Sequence, residues 1–321
     1  MLSLNERALA IVRDMVADAE ALGLETSRLD NGATLVDAGV NVPGSFEAGR
    51  LYSEVCMAGL GKVLFCEIRY GELSFPAVSV TVGRPTLACM AAQYAGWAVK
   101  VDETQSSRAY FAMGSGPARA LFLGEPLFQK LGYRDRSEVA VLAMESRSLP
   151  SEEVARWIAE KCRISPDRLY LLVAPTASLV GSVQVAARIV ETGLHKMLEV
   201  GFDIDSVISG FGTCPVAPVA SDDLRAIGRT NDAVLYGGKA WYTVRGDDGR
   251  IENLAKELPS STSRDYGTPF YELFQSYGGD FYKIDPQLFS PAEVYINNVA
   301  TGRSFHAGGV NPDLIERMFQ E

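Results

Sequence analysis

Strand-like runs that follow one another with no helix between them constrain this chain most. Residues 63–69 lead into 77–82, and 292–299 lead into 303–306 across Ala300-Thr301-Gly302, so each pair reads as an antiparallel hairpin. Helix-period segments are predicted near 4–22, 46–59, 86–96, 117–124, 151–162, 178–200, 221–228, 268–277 and 311–320. Strand-like runs fall near 33–37, 63–69, 77–82, 107–113, 138–144, 168–174, 204–211, 234–245, 292–299 and 303–306. This irregular alternation favours an α+β fold with antiparallel or mixed sheets over a pure doubly wound sheet.

At 321 residues and 47% hydrophobic content, the chain is long enough for a large core, and its length favours two domains. No Gly/Ser-rich or Pro-rich linker separates two halves, so the division must run between closely packed or discontinuous segments. We expect one α+β domain from 1–100 plus 285–321, and a second from 101–284 that carries the 174–196 segment.

Charge and residue supply narrow the function classes. The formal charge is −10 and no basic run is present, which argues against a nucleic-acid binder. Five scattered cysteines, Cys56, Cys66, Cys89, Cys162 and Cys214, never form a CxxC pair, so neither a disulfide framework nor a thiolate zinc site is expected. That usage fits a reducing cytoplasm. With only His195 and His306 and no HxxxH or HxH spacing, no metal is expected. The N-terminal 25 residues interleave Glu6, Arg7, Arg13, Asp14 and Asp18 with apolar positions, which reads as an amphipathic helix and not a signal peptide. No apolar run approaches membrane-spanning length, and no membrane association is expected.

The segment most suggestive of chemistry is LYLLVAPTASLVGSVQVAARIVETGLHKMLEVGF, 169–202. On a helical wheel Leu179, Val180, Val183, Ala186, Ala187, Val190, Leu194, Met197 and Leu198 fill one face, and Gly181, Gln184, Arg188, Glu191 and His195 line up opposite. Val185 and Ile189 narrow that polar stripe, so either a cavity or water can face it. Read plainly, Arg188 and Glu191 are an exposed (i, i+3) ion pair of small stabilising effect. Read functionally, Glu191 is a proton acceptor held in place by Arg188. Spacing does not choose between them.

Further constellations carry similar pairs of readings. Gly114, Ser115 and Gly116, with Arg119 one turn in, follow a strand and open a helix, which makes an anion site or an ordinary strand-to-helix turn. The third glycine of a dinucleotide fingerprint and the Gly-Lys-Ser of a Walker loop are both missing. Thr176 and Ser178 either cap the following helix or contact a ligand. Cys214, in the loop 210–218, has no histidine partner nearby in sequence and reads as a small buried residue more than as a nucleophile. The loop 259–272 packs hydroxyls, Arg264, Asp265 and Tyr266 ahead of a helix, facing a ligand or another subunit. Asn231-Asp232 and 236–239 form a polar, glycine-bearing stretch to which the sequence assigns no role.

Taken in order, GSGPARA (114–120), APTASLVGSVQVAARIVETGLHK (174–196), GFGTCPVAP (210–218), RTNDAVLYGG (229–238), PSSTSRDYGTPFYELF (259–274) and DFYKIDPQLFSPAEV (280–294) resemble the methenyltetrahydromethanopterin cyclohydrolases, nearly end to end. The resemblance implies a cytoplasmic, homotrimeric α+β enzyme of two domains with a pocket between them. Its reaction would be the reversible hydrolysis of the methenyl bridge of methenyl-tetrahydromethanopterin to the 5-formyl derivative, with no metal or redox cofactor and a small pterin as its substrate. The family's catalytic arginine and glutamate fall in AARIVETG, on Arg188 and Glu191. Substrate contacts are then expected from Gly114, Ser115, Gly116, Arg119, Thr176, Ser178, Gln184 and Tyr266. The alternatives are an enzyme of a related pterin or folate carrier, a nucleotide module built on GSGPAR, and a non-enzymatic binding protein. The last requires Arg188 and Glu191 both to be solvated and far from any pocket.

Overall fold

The structure is a computed structural model that describes residues 2–102, 109–280 and 283–320. In chain order its strands are β1 (Glu25–Arg28), β2 (Thr34–Asp37), β3 (Gly61–Tyr70), β4 (Leu73–Val82), β5 (Trp97–Val101), β6 (Tyr110–Ser115), β7 (Ala140–Glu145), β8 (Leu169–Ala174), β9 (Val207–Pro215), β10 (Lys239–Val244), β11 (Glu293–Asn298) and β12 (Ser304–Gly308). The helices are α1 (Leu4–Ala17), α2 (Ala19–Leu22), α3 (Phe46–Cys56), α4 (Arg119–Phe122), α5 (Leu127–Leu131), α6 (Glu152–Cys162), α7 (Leu179–Ala186), α8 (Ile189–Glu199), α9 (Asp223–Gly237), α10 (Asp248–Glu257), α11 (Phe270–Ser276) and α12 (Pro312–Gln320). Positions 107 and 108 of the strand expected at 107–113, and 281 and 282 of the 280–294 motif, lie outside the described residues.

Two mixed six-stranded sheets organise an α+β fold, in the orders β1-β2-β8-β7-β6-β5 and β12-β11-β10-β9-β4-β3. They belong to two compact units, Met1–Gly61 with Leu87–Gln184, and Lys62–Thr86 with Val185–Glu321. These boundaries differ from the expected division into 1–100 plus 285–321 and 101–284. Strand pairing is the reason. β11 runs parallel to β10 in full register from Lys239↔Glu293 to Val244↔Asn298, which puts the C-terminal segment with residues 185–284. β4 pairs antiparallel with β9, so the β3–β4 hairpin also leaves the first unit.

In the first unit β2, β8 and β7 are parallel neighbours at the centre of the sheet. The near-continuous apolar run of β8 follows from that position, because a central parallel strand is covered on both faces. Leu171 and Val173 pack with Leu142, Met144 and the α6 residues Val154, Ala155 and Ile158. Leu172 and Ala174 point the other way, into a core with Val12 and Met15 of α1 and Ala48, Tyr52 and Val55 of α3. Asn5, Pro117 and Asp135 join α1 to this core: the Asn5 amide donates to the Asp135 carboxylate at 2.7 Å and accepts from the Val141 amide at 2.9 Å.

The sheet of the second unit alternates instead. On β10, Ala240, Tyr242 and Val244 are buried and Lys239, Trp241 and Thr243 are partly exposed, as expected of a sheet packed on one face. Along the other face Phe211, Trp241, Tyr295 and His306 stack side by side across four strands, with neighbouring ring centroids 5.4, 5.2 and 4.4 Å apart.

Several segments differ from the sequence expectation. The strand expected from 234 begins only at Lys239, because α9 runs on to Gly237 and buries Val234, Leu235 and Tyr236 against α11 and α12. β-prone Val-Leu-Tyr is overridden there by tertiary packing. The helix α10 was not expected, although Asp247 caps it by accepting from the Arg250 amide at 3.0 Å. Strands β1 and β5 were also missed, the first being short and exposed.

One contact in the first unit offers a test of packing. A Cβ on Gly49 of α3 would lie 2.7 Å from the Val183 Cβ of α7. Alanine gains about 1 kcal/mol of helix propensity over glycine, whereas overpacking a filled site costs about 1–3 kcal/mol. Gly49→Ala is therefore expected to destabilise the protein by up to about 2 kcal/mol in urea unfolding; a stabilised variant would show that α3 and α7 separate easily.

Candidate active site

The helix predicted over 178–200 is two helices, and the break falls beside the charged pair. α7 ends at Ala186, α8 begins at Ile189, and Arg188 occupies the N-cap position of α8 with φ −81° and ψ 2°. No proline or glycine marks this point in the sequence. The two helices are instead held by different cores: Val180 of α7 lies against Gly44 and the first core, whereas Val190, Leu194 and Met197 of α8 are buried in the second unit. The unit boundary itself falls between Gln184 and Val185.

α8 is seated by its backbone. A Cβ on Gly212 of β9 would come within 2.7 Å of Ile189 Cγ2, so that strand position has to be bare for the helix to settle. The Tyr242 hydroxyl of β10 donates to the Val190 carbonyl at 2.9 Å. Glu191 thereby stands in the first turn of α8, where the helix dipole favours a carboxylate.

The Arg188 Nη1 lies 3.8 Å from the Glu191 Oε2, with the two side chains 13% and 6% exposed. That distance is within ion-pair range and longer than a hydrogen bond. An ordinary surface pair would be solvated, and this one is withdrawn from water.

Thr176 and Gln184 are also buried, and both meet a carboxylate that sequence reasoning missed. The Thr176 hydroxyl donates to Glu145 Oε1 at 2.5 Å, and the Gln184 amide donates to Glu145 Oε2 at 3.1 Å. Glu145 ends β7, next to the parallel strand β8. The signal available in the sequence was an apolar strand run, 139–144, closed by an acid. Ser178 acts as a cap, accepting from the Gly181 amide at 2.9 Å while donating to the Pro175 carbonyl at 2.7 Å.

The 114–119 turn is occupied by its own chain, as the ordinary strand-to-helix turn among its two readings would be. The Gly116 and Ala118 amides donate to the Ala92 and Val141 carbonyls, and the Ser115 hydroxyl to the Gln93 carbonyl at 2.6 Å. Gly114 and Ser115 are the last residues of β6, and α4 is a single four-residue turn. Arg119 is fully buried; its Nε reaches Glu125 Oε1 at 2.8 Å and its Nη1 the Met90 and Ala92 carbonyls. Every part of this arginine has an internal task.

The stretch 229–238, which the sequence left without a role, supports the 259–272 loop. Asp232 accepts from the Phe270 amide at 2.8 Å, and the Tyr236 hydroxyl donates to the Thr268 carbonyl at 2.7 Å while accepting from the Gly267 amide. The rings of Tyr236 and Tyr266 lie 5.2 Å apart. Tyr266 is thus held by packing and by a pinned turn, partly exposed at the loop.

Lys196 is a second residue that sequence reasoning missed, one charge among the apolar positions of α8. It is buried, and its Nζ donates to the Pro259 carbonyl, Thr262 Oγ1 and the Gln287 carbonyl at 2.9, 2.8 and 2.7 Å. Burial pushes its ammonium down to about 8, against the opposing charges of Asp285 and Glu257. Cys214 is completely buried, which pushes its thiol far above the ordinary range and leaves no reactive thiolate.

Two cavities lie elsewhere. One of about 340 Å³ is lined by Arg225, Arg229, Asp232, Tyr271, Glu272 and Met318 in the second unit. The other, about 650 Å³, lies in the first unit around Arg134, Arg136 and Arg163. Neither Arg188 nor Glu191 lines them. No helix among the described residues is long and apolar enough to cross a membrane.

Two mixed-sheet units and a largely buried charge pair beside a helix break define an α+β protein with a candidate active site. The chain belongs to the cyclohydrolase (MCH) family, whose model matches residues 3–319. It is 44% identical to the methenyltetrahydromethanopterin cyclohydrolase of Methanococcoides burtonii over 99% of this chain and 98% of that protein. The proteins of that name from Methanocaldococcus jannaschii and Methanothermobacter marburgensis are 46% and 45% identical, over 99% of this chain and 98% and 99% of theirs.

The buried lysine makes a pH-dependent prediction. Between pH 8 and its ordinary value near 10.4, Lys196 has released its proton in the folded chain and kept it in the unfolded one. The unfolded state then binds more protons, so stability rises with pH across this window. Thermal melts of the wild type and Lys196→Met at pH 7.5 and pH 9.5 are expected to show the wild type gaining on the variant at the higher pH; parallel curves would mean the ammonium titrates normally.

Proposed function

We propose that this protein hydrolyses the methenyl bridge of methenyl-tetrahydromethanopterin to 5-formyl-tetrahydromethanopterin, reversibly, with Glu191 and Arg188 as the catalytic pair. Family membership along the whole chain supports the reaction. The observation that carries the residue assignment is the burial of the pair. A non-enzymatic reading needs both groups in water and far from any pocket, and the first of these is not met.

The bridge carbon lies between two nitrogens that share a positive charge, so it is electrophilic before the enzyme acts. Catalysis then needs a positioned water more than a Lewis acid. Water adds its oxygen to that carbon while Glu191 takes one of its protons. The carboxylate also stabilises the cation as it approaches, and Arg188 orients Glu191 and hydrogen-bonds the incoming oxygen. The adduct collapses by breaking one carbon–nitrogen bond. The proton held on Glu191 passes to the departing nitrogen, the remaining hydroxyl proton of the adduct leaves to solvent as the formyl carbon–oxygen double bond forms, and the carboxylate is restored, so that the cationic substrate and water give a neutral product and one released proton. Read backwards, the same steps condense the formyl carrier and release water.

An arginine beside a cationic substrate is repulsive on its own, and the glutamate offsets it. At 3.8 Å the two form a near-neutral pair before substrate arrives. The reaction as written uses no metal or redox cofactor. We further propose that the enzyme works in the cytoplasm as a homotrimer, with Thr176, Ser178, Gln184 and Tyr266 among its substrate-side residues.

Loss of the methenyl absorbance tests the assignment. Glu191→Gln is expected to lose at least about 100-fold in kcat, the effect of removing a general base, with the pterin still bound; near-normal turnover would refute the role. Arg188→Lys keeps the charge and loses the planar fork, and is expected to be impaired by about 10-fold or more, whereas wild-type kinetics would leave Arg188 with charge alone. Exhaustive chelation is expected to leave the rate unchanged. Sedimentation equilibrium is expected to give three times the 34.7 kDa chain mass.

A further inference from the structure

We infer that Glu145, held by Thr176 and Gln184, recognises the amino-pyrimidine edge of the pterin and sets the enzyme's substrate specificity. The inference rests on the pterin reading above and adds a residue that the catalytic scheme does not use.

Position comes first. Parallel strands β2, β8 and β7 lie side by side, and ligands of open α/β sheets bind outside the carboxyl ends of such strands. Two carboxylates stand at those ends, Asp37 closing β2 and Glu145 closing β7. Asp37 is buried and already accepts from the Gly39, Val40 and Asn41 amides and from the Asn41 side chain, so it shapes its own turn. Glu145 is different. It is partly exposed, and among the described residues it has no cation within ion-pair distance.

The two hydrogen bonds it does accept are divided evenly. Thr176 takes one direction on Oε1 and Gln184 one on Oε2, which fixes the plane of the carboxylate and leaves each oxygen able to accept once more. Both donors are themselves buried, so the orientation is set by the core and not by flexible surface side chains. A fixed carboxylate with one acceptor direction on each oxygen matches a planar group that offers two parallel N–H bonds. The 2-amino-4-oxopyrimidine ring of a pterin has such an edge, formed by its ring N–H and its exocyclic amino group. Partial burial strengthens this pairing relative to water, because competing solvent is reduced.

Gln184, one of the two groups that hold this carboxylate, precedes Arg188 by four residues in the chain.

The test uses the full-length enzyme, the methenyl carrier, and a carrier analogue that lacks the 2-amino group. Glu145→Gln is expected to raise KM for the natural carrier roughly 10- to 100-fold, the loss of one charge-assisted hydrogen-bonded pair, while kcat moves far less. A purely structural role would instead lower the melting temperature and leave discrimination between the two carriers intact. The wild type is expected to bind the deamino analogue correspondingly weakly, and Glu145→Gln to bind both alike. Unchanged KM in the variant, or equal binding of both carriers by the wild type, overturns the inference; the second measurement needs no variant and stands even if Glu145→Gln fails to fold. If the wild type neither binds nor converts the methenyl carrier, it is the proposed function that falls.

Discussion

The close seating of α8 on β9 and β10 determines where the chemistry-bearing groups of this protein stand. Gly212 leaves room for Ile189, the Tyr242 hydroxyl reaches the Val190 carbonyl, and the first turn of α8 is thereby fixed against the sheet. Arg188 and Glu191 follow from that turn. Glycine at position 212 exposes backbone and lacks a side chain to pack, so the bare strand position is best understood as clearance for the helix.

Buried charge elsewhere in the molecule shows what an internally satisfied group looks like. Arg119 is fully engaged by Glu125 and two carbonyls, and Asp135 accepts from Ser3, from Asn5 twice, from Tyr133 and from the Arg136 amide. Lys196 points all three donors at neutral oxygens. Burial of a charge costs several kcal/mol unless hydrogen bonds offset it; in these three cases the partners lie within the fold, although for Lys196 burial still outweighs them and lowers the ammonium to about 8. Glu145 stands apart, with an ordered carboxylate, two uncharged donors and partial exposure. The hydrogen bonding within the fold, and not charge alone, sets Glu145 apart from the other three groups.

Much of the fold was legible along the chain. Both hairpins are present, and the apolar runs at 138–144 and 168–174 became β7 and β8 in the buried parallel centre. The extent of α9 was not legible, because Val234-Leu235-Tyr236 prefers a strand locally and is helical only through its packing on α11 and α12. The turn at 114–119, left between two readings by the sequence, shows the opposite case. Its glycines and arginine have the right local pattern, yet the carbonyls of Met90, Ala92 and Val141 come from distant stretches, and the carboxylate of Glu125 from the next turn of chain, to occupy it.

The sequence by itself determined the mixed α and β character, the hairpins, the family-like order of motifs, and an arginine and a glutamate three residues apart. Those features depend on local period and residue identity, which the chain carries without folding. Whether that pair met water or protein was decided only by the tertiary structure, and so were the helix break beside it, the assignment of residues 285–321 to the second unit, and the partners of Glu145. Each of these depends on contacts between residues far apart in the chain. A helical wheel shows which side chains share a face, and only the packed neighbours settle what that face meets.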